Sequence, residues 1–167
     1  MGKSTYASSL DLCLTSRALG ASEITFVGIA DRKILGYVSK LNKNWGGRFR
    51  VNFAKSHREL LAPSSKYIKV YLTRYGVPLH EKKYSLKTYR NILLIVTLKD
   101  NDKAKQVHKL ADFNISVSSQ PHCSSAAIAI FLHEFYNGRE LAMHFENAKY
   151  KVIPKEHDVE VKEVSSR

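Results

Sequence analysis

Ala111-Asp112-Phe113-Asn114-Ile115-Ser116-Val117-Ser118-Ser119-Gln120-Pro121-His122-Cys123-Ser124-Ser125-Ala126-Ala127-Ile128-Ala129-Ile130-Phe131-Leu132 reads as a strand, a tight polar loop and a helix of small residues. Phe113 to Val117 alternates apolar and polar side chains and contains β-branched Ile115 and Val117, the pattern of a strand. Pro121 suits the first turn of a helix, where a missing N–H costs nothing. Ala126, Ala127 and Ala129 end at Cβ, so another element can pack close to that helix. A polar loop between a strand and a helix is where open α/β sheets bind ligands. Ser118 to Ser125 would supply hydroxyls, amides and free backbone N–H groups for one. The same pattern also describes an ordinary strand–loop–helix unit, and periodicity does not separate the two.

Working outward, Ser4 to Leu19 is expected to be a helix with Leu10, Leu12, Leu14, Ala18 and Leu19 as its apolar side, stopped by Gly20. Ile24 to Ala30 is a near-continuous apolar run, typical of a strand buried on both faces. Asp31 can cap a helix whose Ile34, Leu35, Val38 and Leu41 recur at helical spacing. Asn44-Trp45-Gly46-Gly47 reads as a turn, Phe49 to Phe53 as a strand and Ser56 to Leu61 as a short helix. Tyr67 to Leu72 is a strand, followed by a loop from Thr73 to Pro78. Ile92 to Thr97 is the most apolar strand and is expected to be central. Asp102 to Leu110 is a helix capped by Asp102; Gly138 to Leu141 opens another, and Lys149 to Pro154 is a final edge strand. Strands alternating with helices imply an α/β fold: a mostly parallel sheet with helices on both faces. The expected domain is 1–154, with a charged, partly ordered tail over 155–167.

Composition narrows the chemistry. The 167 residues suit one domain with a real core. No apolar run reaches membrane-spanning length, and no signal peptide is expected. Cys13 and Cys123 fit free thiols in a cytoplasmic chain better than a disulfide framework. Two cysteines and scattered histidines make no metal site, so no metal is expected. The net charge of +12 points to a polyanion, most simply RNA or DNA; a basic surface that only serves solubility is the other reading. Three loops should lie at the carboxyl edge of the sheet: 73–78, 97–101 and 118–122. None is a G-x-G-x-x-G or a P-loop, and no serine sits on a G-x-S-x-G elbow. Amides, hydroxyls and one glycine suit a neutral or zwitterionic nucleoside-like ligand better than a triphosphate.

Six segments occur in order: Arg17-Ala18-Leu19-Gly20-Ala21, Trp45-Gly46-Gly47, Leu72-Thr73-Arg74-Tyr75-Gly76-Val77-Pro78, Ala111 to Val117, Gln120-Pro121-His122 and Gly138-Arg139-Glu140-Leu141. Together they resemble the archaeal tRNA cytidine(56) 2′-O-methyltransferase family of the SPOUT superfamily, over about Thr15 to Pro154. The resemblance implies a C-terminal trefoil knot, a homodimer, tRNA as partner and S-adenosylmethionine as cofactor, with cytidine 56 of the T-loop as target. It implies cofactor contacts from Leu72, Thr73, Tyr75 and Gly76 in the first loop and from Thr97, Leu98 and Lys99 in the second. Ile115, Val117, Ser118 and Gln120 would supply the third.

The family pattern starts with a strand and an Arg-rich motif. Here Met1 falls just before the first helix, so that N-terminal strand is expected to be missing. The second loop has Thr97-Leu98-Lys99 where the family favours a glycine turn, and Cys123-Ser124-Ser125 replaces an acidic helix start. A non-catalytic RNA-binding paralogue with the same fold is therefore the alternative reading.

Arg17 matches the superfamily arginine that acts at the transfer step. It stays charged, so its role would be to hold a phosphate or a forming alkoxide. Arg48, Arg50, Lys55 and Arg58 form a basic cluster expected to meet RNA phosphates. His122 is expected to cap its helix, and Tyr75 is open to two roles: stacking on a base, or packing at an interface.

Overall fold

The computed structural model describes residues 3–28, 33–62, 66–98 and 102–164. The expected strand end at Ala30, the cap at Asp31 and the loop residues 99–101, Lys99 among them, lie outside these.

The protein is a mixed α/β structure. Helix α1 (Lys3–Ala18) leads to β1 (Glu23–Val27), α2 (Lys33–Trp45), β2 (Arg50–Ala54) and α3 (His57–Leu60). There follow β3 (Ile68–Pro78), α4 (Leu79–Leu86), β4 (Ile92–Ile95), α5 (Asp102–Leu110), β5 (Phe113–Ser116) and α6 (Ser124–Tyr136). A 3₁₀ turn (Arg139–Ala142) precedes β6 (Tyr150–Ile153) and β7 (Glu160–Glu163). Gly20 ends α1 as expected: it adopts φ +90°, and Ala21 N–H returns to Ser16 O at 2.9 Å.

Where a single sheet was expected, the described strands form two parallel sheets and an antiparallel ribbon. One sheet pairs β1 with β2, from Glu23↔Arg50 to Val27↔Ala54. The other has the order β4-β3-β5, all parallel. The centre is therefore β3, not the more apolar Ile92–Thr97 segment. Ile92 and Leu94 pack into one core and Leu93 and Ile95 into another, so an edge strand covered on both faces reads as a continuous apolar run. Val70 and Leu72 of β3 join Leu12, Leu86, Ile115 and Phe131 in the main core, on the side of α1, α4 and α6. Tyr71 faces the other way, with Val107 of α5 and Leu61. Helices thus cover both faces. Buried Lys69 clamps the β3–β5 register: its N–H donates to Asp112 Oδ2 at 2.8 Å and its ammonium lies 3.5 Å from Oδ1.

Several local expectations are corrected. Residues 73–78 are not a free loop but continue β3, with a register shift: both Leu72 and Val77 align with Ile115. The intervening residues carry no regular alternation, which is why they read as a loop. Gly76 sits so close to β5 that an added Cβ would lie 2.5 Å from Asn114 C and Ile115 N. Helix α4 has no counterpart in the sequence reading, because its only buried residues, Leu79 and Leu86, sit at its two ends and make no stripe. Asn44 and Trp45 belong to the end of α2 rather than to a turn. Pro121 is not in the first turn of α6, which opens at Ser124 with Cys123 as N-cap. Beyond Pro154, β7 pairs with β6, so the charged tail contains a strand.

Candidate active site

Because β3 and β4 run parallel, the residues beyond Leu72 and Ile95 emerge on the same edge. The segment after β5 and the start of α6 meet them there. Together with one face of α1 they enclose a cavity of about 410 Å³, a size ordinary for small-molecule sites. Leu72, Thr73 and Arg74 come from β3, and Val96, Thr97 and Leu98 follow β4. Gln120, Pro121 and His122 come from the loop, and Cys123, Ser124 and Ser125 from the opening of α6. Ser8, Asp11 and Leu12 complete the wall from α1.

The walls are held by local hydrogen bonds. Tyr71 Oη and Thr97 Oγ1, 2.8 Å apart, tie β3 to the segment after β4. Ser116 Oγ donates to Ser118 O at 2.8 Å, and Gln120 N–H donates to Ser118 Oγ at 3.1 Å. His122 Nδ1–H donates to Gln120 O at 2.7 Å, so the ring turns back on its own loop and does not cap α6. The polar loop is thereby set before any ligand arrives, which lowers the ordering cost of binding.

The chemistry of the wall is mixed. Asp11 is the one carboxylate among the lining residues; Arg74 and His122 are basic; Thr73, Thr97, Ser124 and Ser125 offer hydroxyls; Leu12, Leu72 and Val96 are apolar. That set offers a ligand both signs of charge, hydroxyls and an apolar surface. Cys123 is exposed, and hydrogen bonds from Ser125 and the backbone hold its thiol below the ordinary value. Buried Cys13 is the opposite: desolvation pushes its pKa up to about 11.

The residues expected to bind cofactor divide. Leu72, Thr73, Thr97, Leu98 and Gln120 line this cavity. Tyr75, Gly76 and Ile115 line a second cavity of about 340 Å³ on the other side of the β3 irregularity. Val117 and Ser118 line neither cavity. Cys123 to Ser125 fall within the polar stretch expected to meet a ligand, whereas the contribution of α1 was outside the sequence expectation. Asp11, the lone acidic residue of α1, was the signal that could have pointed to that helix.

Arg17 lines neither cavity. It is buried, with Nη2 donating to Trp45 O at 3.1 Å and Gly46 O at 2.6 Å and Nε donating to Asn42 Oδ1 at 3.2 Å. The guanidinium also lies 4.7 Å over the Phe145 ring. Burial draws its pKa below the usual arginine value, yet a guanidinium stays charged in proteins. Arg48, Arg50, Lys55 and Arg58 lie exposed along β2 and α3, apart from both cavities. Arg50 is paired with Glu23, through Nε at 3.1 Å and Nη2 at 3.0 Å to one carboxylate oxygen.

Among the described residues, no helix is long and apolar enough to cross a membrane. No group of three or more His, Cys, Asp or Glu residues is placed to hold a metal ion.

An α/β protein with a preformed polar cavity at the carboxyl edge of parallel strands is of the class that binds ligands at that edge. Comparison with known proteins narrows that class. The family model described as tRNA ribose 2′-O-methyltransferase, aTrm56, matches residues 45–162, and the chain belongs to this family. It is 36% identical over 148 residues to a tRNA (cytidine(56)-2′-O)-methyltransferase of Methanobrevibacter smithii, covering 87% of this chain and 82% of that one. The same figures hold for the enzyme of that name from Methanocaldococcus jannaschii. The one from Thermococcus kodakarensis is 32% identical over 155 residues, covering 90% and 85%.

Proposed function

We propose that this protein methylates the ribose 2′-oxygen of cytidine 56 in tRNA, with S-adenosylmethionine as methyl donor. The observation that carries this is the cavity built from three strand-end segments in a chain of this family. When bound, the donor supplies an activated methyl group on a positively charged sulfur. The chain's own task is alignment, since in-line transfer needs oxygen, methyl carbon and sulfur on one line. Backbone groups of Leu72, Thr73, Thr97 and Leu98, with the Gln120 amide, fit the nucleoside part. Asp11 fits the ammonium or sulfonium charge, and Arg74 fits a carboxylate or an RNA phosphate. The fixed loop from Ser116 to His122 keeps the geometry from changing during transfer.

In the same reading, the C-terminal half is a trefoil knot. What supports it is the family to which the chain belongs. The assembly is a homodimer on the α6 face, supported by Ile130 and Leu141, which are 46% and 71% exposed. Arg17 acts from a distance as a positioning residue: it fixes the Trp45–Gly46 turn and Phe145 and does not touch the cavity. The basic edge at Arg48, Lys55 and Arg58 meets tRNA phosphates.

The test is incubation of the full chain with a tRNA transcript and labelled S-adenosylmethionine. A 2′-O-methyl group at nucleotide 56 is expected, and none when that nucleotide is 2′-deoxycytidine. A chain that binds tRNA yet transfers no methyl would be the non-catalytic paralogue instead.

A further inference from the structure

We infer that the second cavity receives an unstacked nucleobase of the RNA, next to the nucleotide whose ribose lies at the first cavity; this rests on the proposed tRNA reading. The two cavities share no lining residue, yet they meet at consecutive positions: Arg74 lines the first and Tyr75 the second. A strand with its target ribose at the first cavity therefore brings a neighbouring nucleotide against Tyr75. The Tyr75 ring is 68% exposed and is held in place by its neighbour. The Arg74 guanidinium stacks 4.9 Å from the ring centroid, and its Nη2 donates to Tyr75 Oη at 2.7 Å. A fixed, exposed aromatic ring backed by a guanidinium is a stacking platform for a base.

The remaining wall fits the same ligand. Val77, Phe113 and Ile115 are apolar, while Lys82, His108 and Asn114 supply polar groups at the edge. Asn114 Nδ2 donates to His108 O at 3.0 Å, which fixes the amide. Asp112 brings no free negative charge, since Lys69 engages both its carboxylate oxygens. One lysine is too little for a polyphosphate but enough for one backbone phosphate beside a flat, partly apolar base. Outside the cavity, α4 continues the same surface: Tyr84 is 73% exposed, with the ammonium groups of Lys83 and Lys87 at 5.5 and 5.6 Å from its ring.

Binding of a full tRNA transcript to the full chain tests this, read without any methylation step, so an inactive enzyme still gives an answer. Tyr75→Ala is expected to weaken tRNA binding roughly ten- to hundredfold, the scale of one lost base–aromatic stack, while Tyr75→Phe, which keeps the ring and its contact with the Arg74 guanidinium and loses only the bond to Oη, should weaken it less than about threefold. Transcripts made abasic at each nucleotide flanking position 56 give the second arm. One of them should weaken wild-type binding by a similar factor and then show no further loss with Tyr75→Ala. Lys82→Gln, on α4 and so leaving the Tyr75 ring in place, should flatten the salt dependence of binding by about 0.7–0.9 in log–log slope. S-adenosylmethionine affinity should be the same in all variants. Unchanged tRNA affinity in Tyr75→Ala, or no coupling to any abasic position, overturns the inference. Loss of S-adenosylmethionine binding in Tyr75→Ala would overturn it too, by assigning the cavity to the cofactor.

Discussion

Three of the donors on Arg17 are directed at its own fold: two backbone carbonyls of the α2 terminus and the Asn42 amide. Gly46, whose φ is +77°, has no room for a Cβ beside Glu146 O, so the arginine closes a turn with no slack. Arg17→Ala should lower unfolding free energy by about 3 kcal/mol, from buried acceptors left without a donor, and the melting temperature by roughly 6–12 °C. Arg17→Lys should recover only part, because one ammonium cannot reproduce the fork. An Ala variant with unchanged melting temperature but at least about hundredfold slower single-turnover methylation would instead place Arg17 at the reacting ribose. The two cysteines make a second prediction. The Cys13 thiol keeps its proton up to about pH 11 when folded but loses it near 9.0 when unfolded. Between those values the unfolded state binds fewer protons, so stability falls as pH rises, by up to ~2–3 kcal/mol from this group. Denaturant titrations at pH 8 and 11 should show that extra slope in wild type and not in Cys13→Ala. Cys123, with its lowered pKa, should react with iodoacetamide at lower pH than a free thiol, and its alkylation should block ligand entry to the first cavity.

The elements around the site were legible to different degrees. The alternation of Phe113–Val117 and the β-branched and aromatic residues of Tyr67–Leu72 were enough to place β5 and β3. The continuation of β3 to Pro78 was not legible, because its pairing with Ile115 is a tertiary register shift. Glycines separate the two kinds of constraint. Gly76→Ala should cost more than about 3 kcal/mol, since its Cβ would strike backbone that cannot move aside. Gly36→Ala, in the interior of α2 with nothing within 4 Å, should stabilise by about 0.5–1 kcal/mol. Chemical denaturation of both variants checks the pair, and equal effects would remove the crowded crossing between β3 and β5.

Over the whole molecule, a net charge of +12 sets long-range attraction to RNA. If the β2 edge carries the phosphate contacts, replacing Arg48 and Arg58 together by Ala should reduce the slope of log affinity against log salt by about one to two. Arg50 is the poorer choice for that test because Glu23 already neutralises it. An unchanged slope would move the contact to α4, where Lys82, Lys83 and Lys87 lie. The proposed dimer is checked by light scattering: wild type at twice the chain mass, and Ile130→Lys at the monomer mass, because a charge on that apolar face cannot be desolvated cheaply.

The α/β class, most helices and strands, the basic character and the family-bearing segments were determined by the sequence alone. Each of these depends on local periodicity, capping chemistry or charge, which neighbouring residues carry in full. Which strand is central, where β3 slips against β5, and which residues face the first or second cavity were decided only in three dimensions. Tyr75 and Thr73 are two residues apart in one strand, yet they serve different cavities because the register of β3 against β5 shifts between Leu72 and Val77. Arg17 is the same lesson at a single position. Its motif marks it as important, but its partners, Asn42, Trp45, Gly46 and Phe145, come from distant segments, and a side chain's contacts are set by what the fold brings to it.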